Sequence, residues 1–295
     1  MDPLATLGRA LRDTGYAFVT PTPETHRRVL ARGGEARNLR DVFGWSRPFP
    51  PGFLPLPFEA LLEQASALLR EGDLLRSAVR FSSLGPLLCA HSAYPTTEAD
   101  AVFFGPDTYR FAALIEQRIA SAGAVADVGC GSGAGGLLLA RRAQSVQLLD
   151  INPRAVRFAR ANAELNGLPA RALQSDVLSA AEGPLDLIVA NPPYLADDLG
   201  RAYRDGGEDL GTALSVRIAR ESLARLAPGG RLLLYTATPV VDGAHLLWPA
   251  LERLLEGTRW DYRELDPDVF GEELDRYNYA TVERIAVVAL EATRR

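Results

Sequence analysis

Apolar and polar positions change rhythm near residue 105. Before it the pattern is helical and interrupted. A spacing near 3.6 residues predicts helices over 3–11, 24–31 and 58–69, the last carried by Leu61, Leu62, Ala65, Leu68 and Leu69. Between them Pro48-Phe49-Pro50-Pro51-Gly52-Phe53-Leu54-Pro55 excludes regular structure and reads as a loop packed by its aromatics. Short runs at 77–81, 87–90 and 101–104 predict strands. From Tyr109 onward, apolar runs of strand length alternate with helical stretches. Helices are expected at 109–120, 135–142, 153–166, 212–226 and 243–255, and strands at 124–128, 145–149, 170–174, 185–190, 231–236, 260–264 and 284–290. This alternation predicts an α/β fold with a doubly wound, mainly parallel, seven-stranded sheet. The domains expected are 1–104, smaller and mostly helical with a strand pair, a candidate for substrate recognition, and 105–295, which carries the chemistry.

A chain of 295 residues fits two domains, and 47% hydrophobic with 23% charged residues is ordinary globular composition. No apolar run approaches the roughly 18 residues of a membrane span. The start, Met1-Asp2-Pro3-Leu4, lacks the order of a signal peptide. Two cysteines, Cys89 and Cys130, give no disulfide framework, and no Cys/His cluster has zinc spacing. A cytoplasmic protein without a metal site or a membrane partner is expected. The net charge of -5 argues against nonspecific hold on a phosphate backbone. One local exception, Arg27, Arg28, Arg32, Arg37, Arg40 and Arg47, reads as a solvated helix face. Every basic residue is arginine, since the chain has no lysine.

The candidate chemistry begins at Asp127-Val128-Gly129-Cys130-Gly131-Ser132-Gly133-Ala134-Gly135-Gly136, between a strand and its helix. Glycines there let the backbone turn tightly and approach a ligand, while the helix start offers free N–H groups. Asp150 ends the next strand, where a carboxylate accepts from ribose hydroxyls. Gly131, Gly133 and Gly136 alone would also satisfy the dinucleotide fingerprint. Asp127 decides against it, because a carboxylate just before the glycines repels a pyrophosphate and attracts an ammonium. The residues suit a nucleoside with an ammonium and no phosphate.

Farther on, the apolar run 185–190 ends in Asn191-Pro192-Pro193-Tyr194. Two prolines stop the strand in a rigid, extended turn at its carboxyl end, where ligands of open α/β sheets sit. An amide side chain, exposed carbonyls and an aromatic ring suit a flat, nitrogen-bearing acceptor.

Taken in order, Asp127 to Gly133, Asp150-Ile151-Asn152-Pro153 with Asn162 and Asn166 on its helix, Ser175-Asp176-Val177, and Asn191-Pro192-Pro193-Tyr194 resemble the class I S-adenosylmethionine-dependent methyltransferases. More narrowly they resemble the branch with an N-P-P-Y turn, the HemK-like release-factor glutamine methyltransferases and the N6-adenine methyltransferases. The resemblance covers about residues 103 to 290. It implies the Rossmann-like methyltransferase fold and S-adenosylmethionine as cofactor. It places Asp127, Gly129, Gly131 and Gly133 around the methionine end, and Asp150 with Ile151 at the ribose. Asp176 and Val177 fall at the adenine. Asn191 would border the cofactor and, with Pro192 and Tyr194, carry catalysis: the Asn191 oxygen and the Pro192 carbonyl accept from the target NH2, while Tyr194 stacks on the flat group. The acceptor it favours is a glutamine amide in a protein, with an exocyclic amine of adenine or guanine in RNA or DNA as the alternative and a small molecule as the third. Phe103-Phe104-Gly105-Pro106-Asp107-Thr108 and Asp205-Gly206-Gly207-Glu208-Asp209-Leu210-Gly211 resemble segments of the glutamine enzymes, although Gly105 and Tyr109 replace the usual arginine and glutamate.

Outside these motifs His91 reads as structural, Cys89 as core and Cys130 as turn filler. Trp45, Trp248 and Trp260 read as core or interface, and the aromatics of 266–279 either line a substrate channel or pack on the sheet edge.

Overall fold

The computed structural model describes residues 1–197 and 201–295. The chain opens with helices Pro3–Asp13, Pro23–Leu30, Leu39–Phe43 and Phe58–Gln64, followed by strands β1 (Leu68–Glu71), β2 (Leu74–Ser77), β3 (Val79–Leu84) and β4 (Leu87–Ser92). The first helix starts where Asp2 accepts from the Leu4 N–H at 2.8 Å and Pro3 supplies a residue that needs no donor. The expected strand pair is β3–β4, and β1–β2 is a further hairpin. The helix expected to reach residue 69 ends at Gln64, because Ser66 takes a left-handed conformation and Leu68 then pairs with Ser77. Strand pairing overrides the helical spacing there. Residues 101–104 form no strand; Val102 exchanges bonds with Ser92 alone.

Strands β5 (Ala122–Val128), β6 (Ala143–Asp150), β7 (Arg171–Gln174), β8 (Leu185–Ala190), β9 (Leu226–Val241), β10 (Ala244–His245), β11 (Arg259–Asp266) and β12 (Arg284–Thr293) make the central sheet. Its order is β7-β6-β5-β8-β9-β12-β11, with β10 folded back on β9. The first five of that path are parallel and β12 is antiparallel to both neighbours. This is the doubly wound, mainly parallel, seven-stranded sheet expected, with β10 as a short addition. The helix expected from 243 begins only at Trp248, since Asp242 and Gly243 turn the chain left-handed into β10. Strand order reverses between β5 and β8, whose carboxyl ends, Val128 and Ala190, lie in register. A crevice opens outside such a reversal.

Helix Pro153–Asn166 ties the amino-terminal region to this sheet. Ala155, Phe158, Ala161 and Leu165 join a hydrophobic cluster with Leu4, Leu7, Leu11 and Phe81, while Val156, Ala159 and Ala163 pack with the sheet. Between these faces Asn162 is fully buried. Its amide accepts from Ala90 N at 2.7 Å and donates to Ala90 O and Ser132 O, both at 2.9 Å. Asn166 does the same for Leu88. A buried polar group is tolerated when its bonds are made, and here they join β4 to the glycine turn.

Candidate active site

The donor half of the crevice is built by backbone donors aimed at two carboxylates. Asp127, 2% exposed at the end of β5, accepts from Gly136 N at 2.7 Å. Burial pushes its carboxyl up to about 7; the Gly136 bond opposes this and the Asp150 charge adds to it. Asp150 closes β6 and accepts from Gly131 N at 2.8 Å and Asn152 N at 2.9 Å. Its pKa is also raised by burial, against those two bonds. The loop can aim these donors because Gly131 holds φ +53° and Gly129 φ +67°, a region costly for other residues. One N–H of the turn and one of the helix that follows it are therefore committed to carboxylates, which would repel a pyrophosphate. A nucleoside bearing an ammonium and no phosphate fits this donor set. At the far end Val177, a β-branched residue, adopts φ +49° and is held by Ser175, whose hydroxyl donates to Val177 O at 2.9 Å. Such strain costs about 1–3 kcal/mol and persists where surroundings enforce it. Asp176 beside it is half-exposed and takes both guanidinium arms of Arg217, at 2.8 and 2.9 Å, which hold its carboxyl below the usual range.

The acceptor half starts where β8 ends. Asn191 is half-buried, lines the crevice, and makes no side-chain hydrogen bond among the described residues. Pro192 is buried and stiffens the turn. Tyr194 is 8% exposed, its ring 6.0 Å from Phe270. Behind the turn, residues 205–211 pack backbone against backbone: a Cβ on Gly206 would lie 2.0 Å from Gly211 O and 2.8 Å from Tyr194 Cα. The same segment puts Asp209 and Leu210 at φ +54° and +55°. Gly206 N donates to Leu195 O at 2.8 Å, and Ala196 N donates to the Tyr279 hydroxyl at 2.9 Å. One cavity of about 670 Å³ joins the two halves. That size suits a cofactor-sized ligand.

Residues 108–247 match the methyltransferase small domain family. The match takes in the strands that carry Asp127, Asp150 and Asn191. A release factor glutamine methyltransferase of Deinococcus radiodurans is 35% identical over 193 residues, 60% of this chain and 66% of that protein. A ribosomal RNA small subunit methyltransferase C of Chromohalobacter salexigens is 40% identical over 110 residues, 37% of this chain and 30% of that protein. The chain thus spans just under two thirds of the first relative and under a third of the second. Among solved structures, Trm5b from Pyrococcus abyssi superposes with a TM-score of 0.52 at 16% identity, covering 80% of this chain and 67% of that one. An M. jannaschii tRNA methyltransferase gives 0.50 at 14%, covering 75% and 60%. The fold is the Rossmann-like methyltransferase fold.

Within this fold, the cavity wall gathers Asp127, Gly129, Gly131, Asp150, Ile151, Asp176, Val177, Asn191, Pro192 and Tyr194. Gly133 stands apart: it starts helix Ala134–Leu139 at φ +81° and faces Leu148 and Ala159, so it packs helix on strand. Several wall residues carried no motif of their own. Thr22, Pro23 and Glu24 reach the cavity from the amino-terminal region, and Phe270 and Glu272 from the segment before β12. The aromatics of 266–279 divide accordingly: Phe270 lines the cavity, Tyr279 anchors the turn, and Tyr277 is 96% exposed. His91 is fully buried, bonded to Ser82 at 2.8 Å and stacked on Phe104. Both cysteines are buried, and burial raises their thiols, Cys89 to about 12.

The arginine stretch is largely the solvated face expected: Arg27, Arg28, Arg32, Arg37 and Arg40 are exposed, and Arg47 is buried. Arg27 and Arg28 pair with Glu24 at 2.7 Å, Arg40 lies over the Phe18 ring, and Arg47 is buried against the carbonyls of Val29, Gly33 and Gly34. Trp260 is a surface residue resting on Trp248. No helix among the described residues is long and apolar enough to cross a membrane. Among the same residues, no cluster of three or more His, Cys, Asp or Glu could hold a metal.

Proposed function

We propose that this protein is an S-adenosylmethionine-dependent N-methyltransferase acting on a planar nitrogen, with a glutamine side-chain amide of a protein as acceptor. The observation that carries the reading is the Asn191 amide, free of hydrogen-bond partners among the described residues, in one cavity with the phosphate-repelling donor cradle of Asp127 and Asp150. When bound, S-adenosylmethionine supplies a methyl group on a sulfonium. Asp127 pairs its ammonium and Asp150 orients its ribose, while Asp176 and Val177 face the adenine. Asn191 Oδ1 and the Pro192 carbonyl accept from the target NH2 and hold its lone pair in line, and Tyr194 helps exclude water. The nitrogen lone pair forms the N–C bond as the C–S bond breaks with its electrons left on sulfur. The surplus N–H proton then departs to water.

The relatives' names point to two acceptors, a release-factor glutamine and ribosomal RNA. Charge on the cavity lining favours the first. Asp205, Asp268 and Glu272 line it and pair with no arginine among the described residues. Its arginines are engaged: Arg110 with Asp107 and Asp266, Arg204 with Glu273, Arg217 with Asp176. A phosphate backbone gains little from such a surface.

Two measurements test the reading. Calorimetry should show binding of S-adenosylhomocysteine and none of NAD; the reverse would sink the proposal. Labelled methyl carried into a cell extract should survive ribonuclease and be lost with protease, whereas label lost with ribonuclease would assign the acceptor to RNA. Asn191→Ala should lower transfer about 100- to 1000-fold while S-adenosylhomocysteine affinity stays near that of the unaltered protein.

A further inference from the structure

One carboxylate beneath the acceptor turn has no part in the steps above. Asp107 stands in the first turn of helix Pro106–Arg118, is 8% exposed, and lines the same cavity as Asn191 and Tyr194. Its Oδ1 accepts from the Tyr235 hydroxyl at 2.8 Å and from Arg110 at 3.1 Å. Tyr194 lines the same cavity, and burial together with the Asp107 charge keeps its hydroxyl protonated well beyond the ordinary phenol range. Arg110 continues to Asp266 at 3.0 Å.

A carboxylate in a first helical turn is favoured by the helix dipole without further partners. The dipole explains neither tyrosine. Tyr235 sits in the middle of β9, fully buried, where phenylalanine would pack equally well; its hydroxyl is there for Asp107. Groups from a helix and a strand therefore converge on one side chain, in a cavity wall that it shares with Tyr194 of the acceptor turn. Tyr194 follows Asn191 across two prolines, so the heading of one constrains the other.

We propose that Asp107 is a positioning residue for methyl transfer: held by Tyr235 and Arg110, it anchors the Tyr194 hydroxyl and so fixes the direction in which Asn191 and the Pro192 carbonyl meet the acceptor nitrogen. Its charge works in the same sense. Nitrogen gains positive charge as the N–C bond forms, and a fixed carboxylate in the cavity wall stabilises that charge. This rests on the methyl-transfer reading above.

The test follows label transfer from S-adenosylmethionine into cell extract as a function of extract concentration, with S-adenosylhomocysteine calorimetry on the same samples. Asp107→Asn keeps the shape and one acceptor oxygen but removes the charge. It should lower the saturating rate about 10- to 100-fold, with half-saturation and S-adenosylhomocysteine affinity within about threefold of the unaltered protein. Tyr235→Phe, which removes one hydroxyl, should lower the rate about 3- to 10-fold, and Asp107→Glu should recover part of the loss. An Asp107→Asn protein that transfers at the full rate overturns the proposal, as does a loss matched by equal loss of S-adenosylhomocysteine binding. Unaltered protein that neither binds S-adenosylhomocysteine nor transfers label would instead overturn the methyl-transfer reading, and this inference with it.

Discussion

The donor half of the cavity draws its polar groups from one stretch of chain, Asp127 to Val177, and the acceptor half from segments scattered from Thr22 to Glu272. In the donor half, backbone N–H groups of a glycine turn and of the helix it starts close on Asp150 and Asp127. In the acceptor half, a short rigid turn is wedged by other backbone at Gly206 and Gly211, and the distant Tyr279 hydroxyl accepts from Ala196 N just beyond it. A site made of local backbone bonds depends on a few residue types at fixed spacing. One made of converging segments depends on the packing of the whole domain. The two halves should therefore respond separately to substitution.

Gly206 offers the most severe way to break that separation. It does not hold a positive φ, so alanine there is penalised by space alone: its Cβ would meet Gly211 O at 2.0 Å and Tyr194 Cα at 2.8 Å, and neither is a movable side-chain tip. Gly206→Ala should displace the acceptor turn and lower methyl transfer about 100-fold while S-adenosylhomocysteine affinity holds. Gly207→Ala is the control. It carries the backbone penalty of φ +83° but meets nothing closer than Ala213 Cβ at 3.7 Å, so it should cost stability, about 1 kcal/mol, and little rate. Calorimetry that found cofactor affinity falling in step with rate in Gly206→Ala would show the halves to be mechanically one.

The same contrast explains how much was legible beforehand. Strand alternation with a glycine turn is a local signal, so the sheet and the line of Asp127, Asp150 and Asn191 could be read along the chain. Asp150 ends β6 and Asn191 directly follows β8, and strand ends near an order reversal converge whatever lies between them. Tyr235 could not be read this way, because a tyrosine in a buried strand looks like core until the helix bearing Asp107 is packed over it. Thr22 and Glu24 reach the cavity only through the fit of helix Pro153–Asn166 between the two hydrophobic clusters. The hairpin β1–β2 escaped because Leu68 and Leu69 continue a helical spacing that pairing with Ser77 and Arg76 overrules.

Within the donor half, pH should separate Asp127 from its neighbours. Its carboxyl, pushed up to about 7 by burial, is protonated in the free protein below that value and cannot then pair an ammonium. A carboxyl raised above its unfolded value stabilises the fold fully only at pH below that unfolded value, and the contribution is lost as pH rises through about 7. Binding a cation at the same carboxylate works the other way. S-adenosylhomocysteine affinity should accordingly fall by up to about tenfold per pH unit from about pH 7 to about pH 5.5, with a proton released on binding in that range. Asp127→Asn should bind about tenfold more weakly at about pH 7.5 and lose the slope. A slope that survives in the asparagine variant would move the ammonium contact elsewhere.

The smallest effect expected lies at the adenine end, where the donor half departs from its own rule. Asp127 and Asp150 are held by backbone, but Asp176 is half-exposed and held by the two arms of Arg217, whose helix follows the acceptor segment. An ion pair open to solvent contributes about 0–1 kcal/mol, so Arg217→Met should shift the melting temperature by no more than about 3 °C. If Asp176 accepts from the adenine amino group, the pair serves to keep its carboxylate turned into the cavity. Losing Arg217 should then weaken S-adenosylhomocysteine about threefold, and Asp176→Ala, which removes the acceptor itself, should weaken it more, up to about tenfold. The order of the two variants is what matters. Arg217→Met weaker than Asp176→Ala would make the guanidinium the adenine contact and Asp176 its support, and a helix of the acceptor half would then belong to the donor site as well.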